Sequence, residues 1–253
     1  MTLTFLGTGT SCGVPVIGCG CEVCTSNDAR DKRLRTSALL ETTAGTHILI
    51  DCGPDFRAQA LELPFQPFDA VLLTHEHYDH VSGLDDLRPY GVFGPQQIYG
   101  NARTLRTLRE RMPYCFAKET PSTVPHLELH EISPGVAFRI NELEILPVEV
   151  MHGTLPILGF RIGNCAYLTD LKTISKESMA LLNGVETLIV NALRYKPHPT
   201  HQTIEDAIAL SQHLKPRDTY LIHLNHDAPT QEEAERILPP HIHLAYDGLQ
   251  IKV

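Results

Sequence analysis

The sequence predicts an α/β fold, and three observations predict it. Four apolar runs stop at a histidine or an aspartate: residues 71–74 at His75, 143–150 near His152, 166–169 at Asp170 and 219–222 at His223. Segments patterned as helices, at about 173–183, 203–214 and 230–237, separate the later runs. Hydrophobic residues make up 42% of the 253, enough to bury a sizeable core. Polar groups delivered at the carboxyl ends of neighbouring strands are what an α/β site requires.

The elements follow in order. Residues 3–6 alternate as a first strand and run into Gly7-Thr8-Gly9-Thr10-Ser11, where glycine permits a tight turn and hydroxyls can reach a phosphate. Cys19, Cys21 and Cys24 then stand at C-x-C-x-x-C spacing, which suggests a closed zinc site one ligand short. Residues 36–41 and 46–50 read as a hairpin around Thr43-Ala44-Gly45, its second strand ending in Asp51-Cys52-Gly53. A helix over about 56–63 leads to residues 71–74.

After them, 84–91 and 101–111 pattern as helices. Arg103, Arg106, Arg109 and Arg111 cluster in the second, read as a solvated face. Residues 112–135 are proline-rich and read as connection and edge strands, with His126 and His130 among them. From 136 the second half repeats the first: strands at 136–140 and 143–150, at 166–169, at 187–190 ending in Asn191, and at 219–222. Thr203 or Thr200 caps the helix over 203–214. Residues 242–246 and 249–253 read as a closing hairpin that turns at Asp247-Gly248. No linker or low-complexity stretch divides the chain, so one domain over residues 1–253 is expected.

Composition bounds the function. A net charge of −9 argues against a broad grip on a nucleic-acid backbone, which needs a basic stripe. It leaves room for a small phosphate ester held by metal ions, which supply local positive charge. No apolar run approaches the roughly 18 residues of a membrane span, and the amino terminus lacks the basic start and apolar stretch of a signal peptide. Seven cysteines, three of them within six residues, do not form a secreted disulfide framework. The cytoplasm is the expected compartment, and a homodimer is compatible with the chain.

The central stretch is Thr74-His75-Glu76-His77-Tyr78-Asp79-His80. Imidazole and carboxylate are ligands of divalent zinc, manganese and iron. In extended backbone, residues two apart point the same way. His75 and His77 can therefore face one ion, and Asp79 and His80, past the bend, a second. His198 and His201 lie in a proline-rich loop that can hold an imidazole over such a site. His226, three residues after His223, would point away from the ion that His223 faces and can close the cysteine cluster.

The pattern His75-x-His77-x-Asp79-His80 resembles the signature of the metallo-β-lactamase-fold hydrolases. The Gly7–Ser11 loop resembles that of the ribonuclease Z and cyclic-phosphodiesterase branch. The early cysteine run with the late His223-x-x-His226 pair resembles the carbon–phosphorus lyase accessory phosphodiesterase (PhnP) family.

The resemblance implies an αββα sandwich. It implies a dinuclear centre of two divalent ions, manganese or zinc, with His75, His77 and His152 on the first, Asp79, His80 and His223 on the second, and Asp170 bridging. A structural zinc would sit on Cys19, Cys21, Cys24 and His226. Asp51 would hydrogen-bond a ligand histidine. His201 matches the general-acid position, and Asp79 joins it among the catalytic groups. His198 is read as a bystander.

The implied activity is hydrolysis of small phosphodiesters, cyclic ones such as phosphoribosyl 1,2-cyclic phosphate, by a hydroxide generated between the ions. A ribonuclease Z-like endonuclease is the first alternative, and it wants a basic surface or a protruding arm. A glyoxalase II-like thiolesterase would add a helical carboxyl-terminal domain, and a flavodiiron-type oxidoreductase would carry a carboxylate where His77 stands. A non-catalytic metal-binding partner protein is the alternative from outside enzymology.

Overall fold

The computed structural model describes residues 1–116 and 123–253. The strands are β1 Thr2–Gly7, β2 Ser37–Glu41, β3 His47–Ile50, β4 Ala70–Leu72, β5 Gln96–Gly100, β6 Leu127–Glu131, β7 Phe138–Ile140, β8 Leu143–His152, β9 Leu155–Ile162, β10 Cys165–Leu168, β11 Thr187–Asn191, β12 Asp218–Ile222, β13 Ile242–Leu244 and β14 Gln250–Lys252. The α-helices are α1 Glu22–Thr25, α2 Phe56–Leu61, α3 Tyr78–Val81, α4 Ala102–Arg111, α5 Lys176–Ala180, α6 Ile204–Leu214 and α7 Gln231–Ile237.

The strands form two seven-stranded sheets, in the orders β14-β1-β2-β3-β4-β5-β6 and β13-β12-β11-β10-β9-β8-β7. Each sheet is mixed: β3 to β6 run parallel in the first, β10 to β13 in the second, and the rest pair antiparallel. Parallel strands need helical crossovers, and these cover the outer faces.

Packing follows from which face of each strand is apolar. Leu3, Phe5, Leu40, Ile50 and Leu72 of the first sheet meet Ile145, Phe160, Tyr167, Ile189 and Ile222 of the second in one buried cluster between the sheets. Leu39, Leu49, Val71 and Ile98 point outward onto Phe56, Leu84, Leu105 and Leu108. Val148, Leu168, Leu188 and Leu221 do the same toward Leu182, Ile204, Leu210 and Ala234. Full burial of such a side chain stabilises by about 1.5–3 kcal/mol, so both faces of each sheet contribute. The layers are helix, sheet, sheet, helix, the αββα sandwich of the metallo-β-lactamase fold.

Several expectations change. The closing hairpin does not form: β13 pairs with β12 in the second sheet, while β14 pairs with β1 in the first. The cause is Asp247, whose carboxylate accepts from the Thr8 hydroxyl at 2.7 Å and the Leu34 amide at 2.6 Å and draws the chain across. Strand β9 has no counterpart among the strands expected from the sequence, and it pairs with β8 over eight positions. Within 112–135, β6 is an edge strand as read, and residues 117–122 lie outside the described residues. Of the two capping candidates, Thr203 caps α6, in a reciprocal capping box with Asp206.

Candidate metal centre and active site

The site lies where the carboxyl ends of parallel strands in both sheets converge. Asp51 follows β3, His75 comes three residues after β4, Asp170 follows β10 by two residues and His223 follows β12, while His152 ends β8. Asp51, Asp170 and His223 all adopt left-handed backbone, at φ of 58°, 54° and 56°. Non-glycine residues reach this region at a cost of about 1–3 kcal/mol each, and strand-end turns hold all three there. Gly53 lets the motif dock: a Cβ on it would lie 2.0 Å from the Asp79 carbonyl oxygen, so only glycine fits beneath α3.

These turns bring the expected ligands together. His75, His77 and His152 place ligand atoms within 4.8 Å of one another, as do Asp79, His80 and His223, and Asp170 joins His75 with His80. Nε2 of His80 faces Asp79 Oδ2 and Asp170 Oδ2, each at 3.2 Å, and Nε2 of His223 lies 3.3 Å from Asp170 Oδ2 and 3.5 Å from Asp79 Oδ2. His75, His80, His152, Asp170 and His223 are buried, Asp79 is half-buried, and His77 stands at the exposed mouth.

The surroundings select the imidazole tautomers. Thr74 Oγ1 donates to Asp51 and so accepts from Nδ1 of His75 at 3.0 Å. His80 Nδ1 donates to Asp51 Oδ2 at 2.7 Å, and His152 Nδ1 donates to the Thr200 carbonyl at 2.9 Å. Each ring therefore turns a bare Nε2 inward. Nε2 of His75, His80 and His223 are buried without a hydrogen-bond partner among the described residues.

Electrostatics agree with a cation at this place. Burial and the neighbouring His80 push His75 well below the usual histidine range, and burial with His152 lowers His77. For Asp170, burial opposes ionisation, but His223 and His80 outweigh it and hold the carboxyl well below the carboxylate range. Asp79 behaves likewise, burial being overcome by His80 and His223. Two carboxylates and a set of bare imidazole nitrogens that nothing else satisfies fit a divalent metal.

A second cluster lies apart. Cys19, Cys21, Cys24 and His226 bring their ligand atoms within 4.8 Å of one another, with His226 Nδ1 at 3.2 Å from Cys19 Sγ and 3.5 Å from Cys21 Sγ. The Cys24 backbone lowers Cys21 to about 7, whereas burial pushes Cys24 up to about 11. Four protein ligands suit a closed zinc site, which stabilises a fold rather than binding substrate.

His201 lies beside the first cluster, with Nδ1 at 3.5 Å from Asp170 Oδ1 and its ring centroid 4.6 Å from that of His152. Burial and His223 lower it to about 3. His198 lies alongside it, tilted by 37° at 5.0 Å between centroids, its own pKa lowered by burial and Arg194.

Sequence reasoning missed the support of the motif loop. Glu76 is buried; its carboxylate accepts from Arg103 Nε at 2.5 Å, and its carbonyl accepts from Arg111 at 2.7 Å. Two of the four α4 arginines thus brace the loop between His75 and His77. The signal was a charged residue wedged between two candidate ligands.

Comparison with known proteins follows the same lines. Residues 46–224 match the family model described as beta-lactamase superfamily domain. The chain is 49% identical over 251 residues to an octanoyltransferase of Porphyromonas gingivalis, covering 99% of this chain and 51% of that protein. It is 33% identical over 135 residues to a ribonuclease Z of Methanopyrus kandleri, covering 49% and 42%. The chain therefore spans about half the length of the curated relatives it matches.

Among solved structures, a diphosphatase from the PhnP family superposes with a TM-score of 0.92 at 42% identity, over 99% of this chain and 96% of that one. Zn(2+)-bound PqqB from Methylobacterium extorquens superposes at 0.81 with 19% identity over 100% of both chains, a likeness of fold alone. The chain belongs to the β-lactamase superfamily, as a metallo-β-lactamase-fold domain similar to the PhnP-family diphosphatase.

Proposed function

We propose that this chain is a metal-dependent phosphodiesterase of small substrates, cyclic phosphates such as phosphoribosyl 1,2-cyclic phosphate foremost. His75, His77 and His152 would hold one divalent ion and Asp79, His80 and His223 the other, with Asp170 between them, and manganese and zinc both suit these ligands. The observation that carries the reading is the convergence of bare, buried Nε2 atoms on Asp79 and Asp170. When bound, such ions supply Lewis acidity and activate water at neutral pH.

The chain's own residues do the rest. Asp51, Thr74 and the Thr200 carbonyl fix three imidazole orientations. His201, neutral at rest because burial and His223 lower it to about 3, is beside the cluster where it can take a proton from the attacking water and pass it to the departing oxygen as water adds to phosphorus and one P–O bond breaks. Cys19, Cys21, Cys24 and His226 would hold a structural zinc and tie the early loop to the segment after β12.

The Porphyromonas gingivalis relative is twice as long, and we assign its acyl transfer to the half that this chain does not match. A compact acidic chain favours a small ester over RNA.

Two measurements test the reading. Metal content per chain, by mass spectrometry on protein purified without added metal or chelator, should give about three ions, one of them tightly held zinc. Metal-replete protein should hydrolyse bis(p-nitrophenyl) phosphate; no rate above blank would favour a metal-binding partner protein.

A further inference from the structure

The loop between β11 and α6 carries a feature that metal ligation and proton transfer leave unused. His198 sits between Pro197 and Pro199. A ring on either side restricts the backbone to extended conformations, so little freedom is lost when His198 binds something. The ring's state is fixed as well. The Thr200 backbone N–H, which can only donate, points to His198 Nδ1 at 3.4 Å, and the Thr200 hydroxyl lies 3.2 Å away. Nδ1 must therefore carry a lone pair, and the proton resides on Nε2.

That ring lines a cleft of about 250 Å³ together with Thr10, Ser11, Arg194, His201 and Asn225. At about 30 Å³ per water, the cleft takes a ligand of sugar-phosphate bulk. Arg194 is rigid: Nη1 donates to Asp227 at 2.7 Å, Nε donates to the Lys196 carbonyl at 3.2 Å, and its own carbonyl accepts from Ile204. Its Nη2 makes no hydrogen bond among the described residues. The cleft wall is thus a set of fixed donors, an imidazole N–H and a guanidinium edge, beside two hydroxyls and an amide.

We propose that His198 is a substrate-contacting residue that donates Nε2–H to the non-reacting part of the ester, with Arg194 beside it, and that the cleft selects phosphodiesters whose alcohol part is rich in hydroxyl or phosphoryl oxygens. This inference rests on the phosphodiesterase reading given above. The same Thr200 that fixes His198 accepts from His152 through its carbonyl, so the specificity wall and the metal centre are built from one loop.

The test separates the two ring nitrogens. In His198→Gln the amide nitrogen falls near the position of Nε2, whereas in His198→Asn the amide reproduces only the Nδ1 side. The readout is the ratio of kcat/KM for adenosine 2′,3′-cyclic phosphate to that for bis(p-nitrophenyl) phosphate, which has no hydroxyls. In His198→Asn and Arg194→Ala this ratio should fall about tenfold, the scale of one hydrogen bond to a polar or charged group, chiefly through KM. His198→Gln should retain it.

A retained ratio in His198→Asn with loss in His198→Gln would assign the residue to bracing Thr200 and overturn the proposal, as would equal falls on both esters. Should the wild-type chain hydrolyse neither ester, calorimetric titration with ribose 5-phosphate decides. Weaker binding in His198→Asn and Arg194→Ala would keep the subsite while the hydrolytic reading falls, and unchanged binding would overturn the subsite itself.

Discussion

His80 donates Nδ1–H to Asp51 Oδ2 over 2.7 Å, and neither side chain is reached by solvent. Asp51 also accepts from the Thr74 amide and hydroxyl at 2.8 Å each. One carboxylate thus orients His80 directly and His75 through Thr74. Burial works against a charged Asp51, and its pKa rises; burial also works against a positive charge on His80, yet Asp79, Asp51 and Asp170 together favour one, so Nε2 is held either by a proton or by a cation in its place. Replacing the carboxylate should therefore disturb the orientation of His80 and His75.

Asp51→Asn keeps the shape but loses one acceptor and the charge. Loss of a partner that orients a ligand histidine weakens metal affinity by about 10–100-fold. If the proposed ions are bound, competition with a chromophoric chelator should show that loss for metal on the histidine–aspartate cluster, with metal on the cysteine cluster unchanged. Wild-type affinity in this variant would show that Asp51 does not orient the ligands.

Cys21 lies 3.5 Å from His226 Nδ1, across 205 positions of sequence. A zinc on that cluster would cross-link the α1 loop to the segment after β12, and a structural site contributes directly to folding energy. Cys21→Ala should lose one zinc per chain and unfold at a lower temperature while keeping the ions of the histidine–aspartate cluster. Mass spectrometry of metal content checks this, and an unchanged zinc count would remove the structural site.

What the sequence made legible were features that depend on local pattern. An apolar run that stops at a histidine announces a strand end; C-x-C-x-x-C announces crowded thiols; His75-x-His77-x-Asp79-His80 announces imidazoles and a carboxylate gathered at one place. The hidden features depend on distant partners. Strand β9 contains Pro156 and Gly159, and its eight-position pairing with β8 overrides their local preferences. The separation of β13 from β14 is set by Asp247 reaching Thr8 and Leu34. The left-handed backbone at Asp51, Asp170 and His223 has no composition signal, since glycine is what such a position normally advertises. Nor could spacing reveal that Arg103 and Arg111 turn toward Glu76, or that Thr200 links His152 to His198.

Asp247 predicts a pH dependence. Burial raises its carboxyl from 3.8 to about 6, against the amide of Leu34 and the hydroxyl of Thr8, which favour the anion. Between about pH 4 and 6 the folded chain holds a proton that the unfolded chain has released. The stability from this group is therefore complete below about pH 4 and is lost as pH rises through 6, by on the order of 3 kcal/mol. Urea unfolding of the wild-type chain and Asp247→Asn at pH 4 and pH 7 should show the difference, wild type minus variant, falling by that amount as pH rises. A difference that grows with pH would mean that the anion is the stabilised form.

His201 offers the sharpest separation of chemistry from metal binding. It lies 3.5 Å from Asp170 Oδ1 and faces the cleft shared with Arg194 and His198. As the proton donor to the departing oxygen it should account for about 10²–10⁴ in turnover. His201→Ala should keep the wild-type metal content and melting temperature while kcat on bis(p-nitrophenyl) phosphate falls within that range. The loss should shrink on an ester with a more acidic leaving group, because a better leaving group needs less help from a proton. An equal loss on all esters together with a missing ion would instead make His201 a metal ligand, a role that its grouping with His152 and Asp170 also permits. Wild-type turnover would leave the departing oxygen to be protonated by water, and the proposed acid would be withdrawn.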